Sequence, residues 1–211
     1  MLVHPGERAP IARLLTFLEC GERLANDCAR AQASLAPDRG MRRFLMGQAR
    51  QEAMHAVVFQ GAIAWLAPRH LGDAPFLPAL EQYRGMLQEA LRQGEFLETV
   101  LAEQVILEGL GEAILNRIEQ GLVKRNAPFE RLRRILIHQE EAHHGFGCRI
   151  VERAVAAQEV DLVRLRQRAQ EYLALTDGMV LTLSDLFESI AENPTAWASD
   201  VRQFLPAWLA P

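Results

Sequence analysis

Two Glu-x-x-His pairs, Glu52-Ala53-Met54-His55 and Glu140-Glu141-Ala142-His143, each follow by about thirty residues another glutamate on an apolar helical seam. Residues three apart on a helix share a face, so each pair aims a carboxylate and an imidazole at one point. A lone Glu-x-x-His arises by chance in many helices. Two of them, each with a partner glutamate, make the ligand set of a dinuclear metal site. A chain that uses them must bring four helices around one interior point.

The rest of the pattern agrees. Apolar residues recur at helical spacing almost throughout, and alternating strand-like stretches and Asn-Gly hairpin signals are absent, so the fold class is all-α. A first helix is expected over about residues 9–35, ended by Ala36-Pro37, with Asp38 as N-cap of a second that runs to about Leu66. Pro68, Gly72, Pro75 and Pro78 break the pattern, and a shorter helix over about residues 79–92 ends before Gly94. A third long helix should span about residues 95–122 and, after Asn126-Ala127-Pro128, a fourth about residues 129–158. Two helical hairpins joined by one long crossover form a four-helix bundle, and they resemble each other as a weak internal repeat. The bundle core should cover about residues 9–155 of a single domain. A charged amphipathic helix to about Asp177 and an apolar one over residues 178–192 follow, either to cover the bundle or to form a subunit interface.

The seams select the ligands. The second helix carries Met41, Leu45, Gln48, Glu52, His55 and Phe59 on one stripe, stepping by four and three. The fourth carries Leu136, Glu140, His143, Gly147 and Ile150, although Glu141 and His144 satisfy the same spacing and compete. On the third, the stripe through Leu101, Gln104, Glu108, Gly111 and Leu115 centres Glu108 and leaves Glu103 and Glu112 to either side. On the first, the stripe through Leu15, Leu18, Glu22, Ala25 and Ala29 favours Glu22, with Glu19 as the alternative. The ligand set is then Glu22, Glu52, His55, Glu108, Glu140 and His143. Four acids on core stripes, with no Lys or Arg at their level, need a compensating charge, and a pair of divalent metals supplies it. His4, His70, His138 and His144 are read as surface residues, His144 being the doubtful one, and Cys20 and Cys148 as small core fillers.

Composition excludes other classes. The chain has 211 residues, 49% of them hydrophobic, which is enough for a sizeable core. The net charge of -4 with interspersed Lys and Arg gives no footprint for nucleic acid. Three cysteines with no CxxC spacing, together with no signal-peptide pattern and no apolar run of membrane-spanning length, predict a soluble cytoplasmic protein with no membrane partner.

The ligand pattern resembles the ferritin-like di-iron carboxylate superfamily. Within it, Ile106-Leu107-Glu108-Gly109-Leu110 and the stretch from Glu140 to Gly147, with Phe146-Gly147 after His143, are similar to the ribonucleotide reductase small subunit and its ligand-binding oxidase relatives. The resemblance implies two iron ions, or one manganese and one iron, held by the six residues with Glu52 and Glu140 as bridges, and dioxygen activation with electrons from a donor protein. The radical-forming small subunits usually carry a tyrosine four residues after the first histidine, where this chain has Phe59. With Tyr83 and Tyr172 both off the expected ligand helices, a stored tyrosyl radical is not expected. Rubrerythrins append a cysteine-rich iron site that three scattered cysteines cannot build.

One turn beyond the ligands stand Ala25, Phe59, Gly111 and Gly147, three of them small. They either leave a void for a small hydrophobic substrate or let helices approach closely. The function expected is an oxygenase or oxidase acting on such a substrate. A ferritin- or rubrerythrin-like iron oxidation, storage or peroxide-scavenging protein is the alternative, with acidic entry paths and no apolar cavity. A metal-free helical interaction module is the second. The apolar stretch from Met179 to Ile190 makes a homodimer the expected assembly.

Overall fold

A computed structural model describes residues 3–70, 74–184, 187 and 205–209. The first hairpin is α1 (Arg8–Leu35) and α2 (Arg39–Leu66). Between them Asp38 caps α2, its carboxylate accepting from the Gly40 and Met41 amides, which satisfies two of the donors a helix start leaves without partners. Asn26 of α1 donates to the Ala49 carbonyl of α2, fixing the register of the hairpin about one turn from Glu22 and Glu52.

The crossover contains α3 (Leu77–Gln93), which closes on Gly94 at φ 73°, a left-handed cap that glycine adopts without steric cost. The third long helix of the bundle is not uniform. It begins as α4 (Phe96–Val100), passes through a π-helical segment (Leu101–Leu107), and continues as α5 (Glu108–Lys124). After a turn locked by Arg133, which pairs with Glu119 at 2.6 Å and donates to the Ala127 carbonyl, α6 (Glu130–Ala156) returns antiparallel. Among the described residues every regular element is helical.

The last described long helix, α7 (Leu162–Leu181), starts from an Asp161 cap and lies against α3 and the π segment. The break expected near Asp177 and Gly178 is absent: α7 runs through it, because Thr176, Met179 and Val180 are buried and hold the turn in place. Met179, Val180, Leu183 and Phe187 lie in the same core cluster as the bundle, so these residues cover the bundle rather than face outward. The remainder of the expected apolar helix over residues 178–192 lies outside the described residues. Arg168 ties α7 to α4, its Nε 2.8 Å from Glu98 and its guanidinium over the Tyr172 ring. No helix among the described residues is long and apolar enough to cross a membrane.

Candidate metal centre

All six expected ligands meet in the middle of the bundle, one group from α1, two from α2, one from α5 and two from α6. One set comprises Glu22, Glu52, His55 and Glu140 and a second Glu52, Glu108, Glu140 and His143, with the candidate ligand atoms of each set within 4.8 Å of one another. Glu52 and Glu140 belong to both, which is the place of a bridging carboxylate. Every one of the six is buried. Glu19 is instead drawn away by Arg23 and Gln60, and Glu141 faces solvent against His138.

The atoms crowd, with a hydrogen bond between His55 Nδ1 and Glu22 among them. His55 Nδ1 lies 3.2 Å from Glu22, 3.0 Å from Glu52 and 2.8 Å from Glu140. His143 Nδ1 lies 2.8 Å from Glu52 and 3.9 Å from Glu108. Yet both Glu52 oxygens, Glu140 Oε1 and His143 Nδ1 have no hydrogen-bond partner among the described residues, and orphaned buried polar groups are costly. Separations of about 3 Å are those of neighbouring ligands on a cation with bonds of about 2.1 Å. The donor set therefore fits two divalent metals of the kind that prefer carboxylate and imidazole.

Two residues that sequence reasoning passed over complete the geometry. His55 Nε2 lies 2.8 Å from Gln139 Oε1, and His143 Nε2 lies 2.7 Å from Gln51 Oε1. An amide oxygen only accepts, so each Nε2 carries the proton and each Nδ1 turns to the metal side. The exchange is reciprocal: the glutamine preceding the shared Glu of one hairpin holds the histidine of the other. The signal was present in the chain, because both pairs read Gln-Glu-x-x-His.

The π segment supplies the larger surprise. In an α-helix, Glu103 and Glu108 point well apart, but a π turn stacks residues five apart. Glu103 is thereby fully buried beside the cluster, with Gln48 Nε2 bridging it at 3.0 Å to Glu108 at 2.8 Å. Gln104, Gln48, Gln32 and Thr99 form a buried amide chain behind it, the Gln104 amide donating to Gln32 at 2.7 Å and to Gln48 at 3.2 Å. Tyr83 from α3 supports the segment by donating to the Ala102 carbonyl. Burial, then repulsion from the neighbouring acids, pushes the Glu22 and Glu108 carboxyls well above their ordinary range, and burial does the same to Glu103. Burial opposes a proton on His55, but Glu140, Glu22 and Glu52 outweigh it and hold the imidazole charged. Burial would raise Glu52, yet His143 and His55 bring it down to about 2.

The four expected pocket residues divide. Ala25 and Gly111 line a cavity of about 30 Å³ together with Glu22, Glu108 and Glu140; that is room for one or two water-sized molecules. Phe59 lines a different and much larger space, about 870 Å³, walled by Leu14, Leu115 and Leu136 and running to the end of the bundle. Gly147 lines neither. A Cβ there would overlap Gln104 Cβ and stand 3.0 Å from its backbone carbon, so Gly147 is a contact point for the π segment rather than part of a void. His144 is also corrected: it is buried, with Nδ1 2.8 Å from Glu112 and Nε2 3.3 Å from Cys148, its ring against Gly109.

No protein-family model and no curated protein sequence matches the chain. Among solved structures it is similar to Protein 19 with aldehyde deformylating oxidase activity from Synechococcus, at a TM-score of 0.82 and 18% identity, covering 99% of this chain and 92% of that one. At that identity the likeness is one of fold. The two share a helical-bundle fold, and the buried carboxylate and histidine cluster is a candidate dinuclear metal site within it.

Proposed function

We propose that the chain is a dinuclear non-haem oxidase or oxygenase, using two irons or one manganese and one iron, that acts with dioxygen on a small hydrophobic substrate. One observation carries the proposal: the ligand cluster has a small cavity against its acids and a large apolar cavity one helical turn away. Phe59, Leu115 and Leu136 stand one or two turns beyond His55, Glu108 and Glu140 on the same seams, about 5 Å of rise per turn. When bound, the metal pair supplies electrons for dioxygen reduction.

The chain's own residues do the rest. Gln51 and Gln139 hold the imidazoles, Glu52 and Glu140 would serve both metals, and Ala25 and Gly111 leave room beside Glu22, Glu108 and Glu140. The aliphatic walls exclude water and hold a hydrocarbon chain near the cluster. An external electron donor protein is part of the proposal, since repeated turnover requires one. The activity named for the Synechococcus protein makes aldehydes the first substrate class to try, and the apolar cavity points to aliphatic ones among them. A storage reading expects acidic entry paths, and the apolar lining of the large cavity counts against it. Against a metal-free module stand the orphaned oxygens of Glu52 and Glu140.

The test begins with elemental analysis of protein from iron- and manganese-supplemented cells, where about two metals per chain are expected and Glu52→Ala and Glu108→Ala should lose them. Oxygen uptake with a chemical reductant is then followed with aliphatic aldehydes, fatty acids and alkanes. Leu136→Trp, which narrows the large cavity at its end nearest Glu140, should keep metal and lower substrate-dependent uptake. Metal-free parent protein would move the reading to an interaction module. Uptake indifferent to every organic compound would move it to iron handling.

A further inference from the structure

The large cavity opens among side chains that a protein facing only water would not be expected to group together. Val57, Trp65, Phe129 and Leu132 line it and are all exposed, Trp65 at 59% and Phe129 at 65%, and Val123 beside them is exposed too. Trp65 and Phe129 meet edge to face at 6.1 Å. Phe129 adds a second cost, for its backbone is left-handed at φ 65°, a conformation that bulky residues rarely adopt. Clustered exposed apolar side chains of this kind mark a surface that binds something.

Charge names the occupant. Around the same opening the acids Glu7, Glu119 and Glu130 are each paired to an arginine, Arg125, Arg133 and Arg134 respectively. Lys124 and Arg131, both exposed, add a positive surplus. The whole chain is acidic, at -4, so this end carries charge of the opposite sign to the molecule. Exposed aromatics flanked by cations are the composition of surfaces that seat in the headgroup layer of an anionic bilayer.

We infer that this end of the bundle docks on an anionic lipid surface, Trp65 and Phe129 entering the headgroup layer while Lys124 and Arg131 meet lipid phosphates. The inference deepens the proposed function, since it gives a poorly water-soluble substrate a direct route from bilayer to cavity, but its evidence is the surface itself. Peripheral docking of this kind is a proposal that departs from the expectation from the sequence that no membrane is a partner.

The test is flotation of the full chain with vesicles of phosphatidylcholine alone and of phosphatidylcholine mixed with phosphatidylglycerol. Binding is expected to the anionic vesicles only and to weaken with salt. Arg131→Gln, which lies outside the cavity lining, should lower partitioning about fivefold with metal content unchanged. Trp65→Ser with Phe129→Ser should abolish it. Failure to float, or equal flotation with both vesicle types, overturns the inference. So does sedimentation showing a dimer that Trp65→Ser and Phe129→Ser convert to monomer, because a second copy would then cover the patch. Metal-free protein that still floats would sink the proposed function and leave docking standing; metal-loaded protein that oxidises short-chain substrates and does not float would do the reverse.

Discussion

A histidine has one nitrogen to give a metal, and something must decide which. Here the decision belongs to Gln51 and Gln139, whose amide oxygens take the Nε2 protons of His143 and His55. Replacing Gln139 by Leu should weaken metal binding about 10- to 100-fold at the position His55 serves, and Gln51→Leu should do the same for His143. Glutamate at either position still accepts from Nε2–H, so Gln139→Glu should retain most of the affinity. Competition against a chelator, followed by metal analysis, measures all three, and equal competition by parent and leucine variants would refute the role. Much of this site was readable from the chain because its six candidate ligands interrupt apolar stripes at spacings of three and four. Gln51 and Gln139 escaped because hydrophobic periodicity says nothing about a polar residue adjacent to a ligand. His144 escaped for a related reason: its partner Glu112 lies on another helix, and a buried ion pair leaves no apolar trace.

At the scale of elements, the hairpins, the Asp38 cap and the Gly94 stop were set by local chemistry and fall where sequence rules put them. The π segment was not visible, since it inserts residues into a seam whose apolar pattern on either side remains helical. Its one sequence trace is a pair of acids, Glu103 and Glu108, five apart in an otherwise buried run. What holds the segment is packing from outside, and Gly147 is where α6 presses on it. Gly147→Ala should therefore destabilise the protein by about 1–3 kcal/mol through overpacking, lowering Tm by roughly 2–4 °C for each kcal/mol. Gly178→Ala is the contrast. It sits within α7 with open space around its Cβ, so alanine should raise stability by about 0.5–1 kcal/mol. Thermal melts of the two variants, one falling and one rising, would separate a tight helix contact from a mere excess of glycine; a neutral Gly147→Ala would show that the π segment does not depend on that contact.

Across the whole molecule, the interior stores more acid than a folded chain can hold ionised, and that links stability to pH and metal together. Glu22, Glu103 and Glu108 keep protons that the unfolded chain gives up above its ordinary carboxylate pKa, so their contribution is complete at low pH and is lost as pH rises. His55 acts in the same sense: its folded pKa is raised, so its contribution is full below the unfolded histidine value and fades above it. Glu52, lowered to about 2, works the other way, adding stability above the unfolded value of 4.5 and losing it as pH falls toward 2. The metal-free protein should accordingly melt highest near about pH 5 and at progressively lower temperature toward about pH 8. Binding of two divalent ions replaces those protons, so affinity should rise with pH and the loaded protein should keep its Tm where the metal-free protein loses it. Melting curves recorded with chelator and with Mn(II) across that range test the linkage directly. Parallel curves would mean that the buried carboxylates are not the groups the metal displaces protons from, whereas a gap that widens with pH would tie the stability of the fold to the occupancy of its centre.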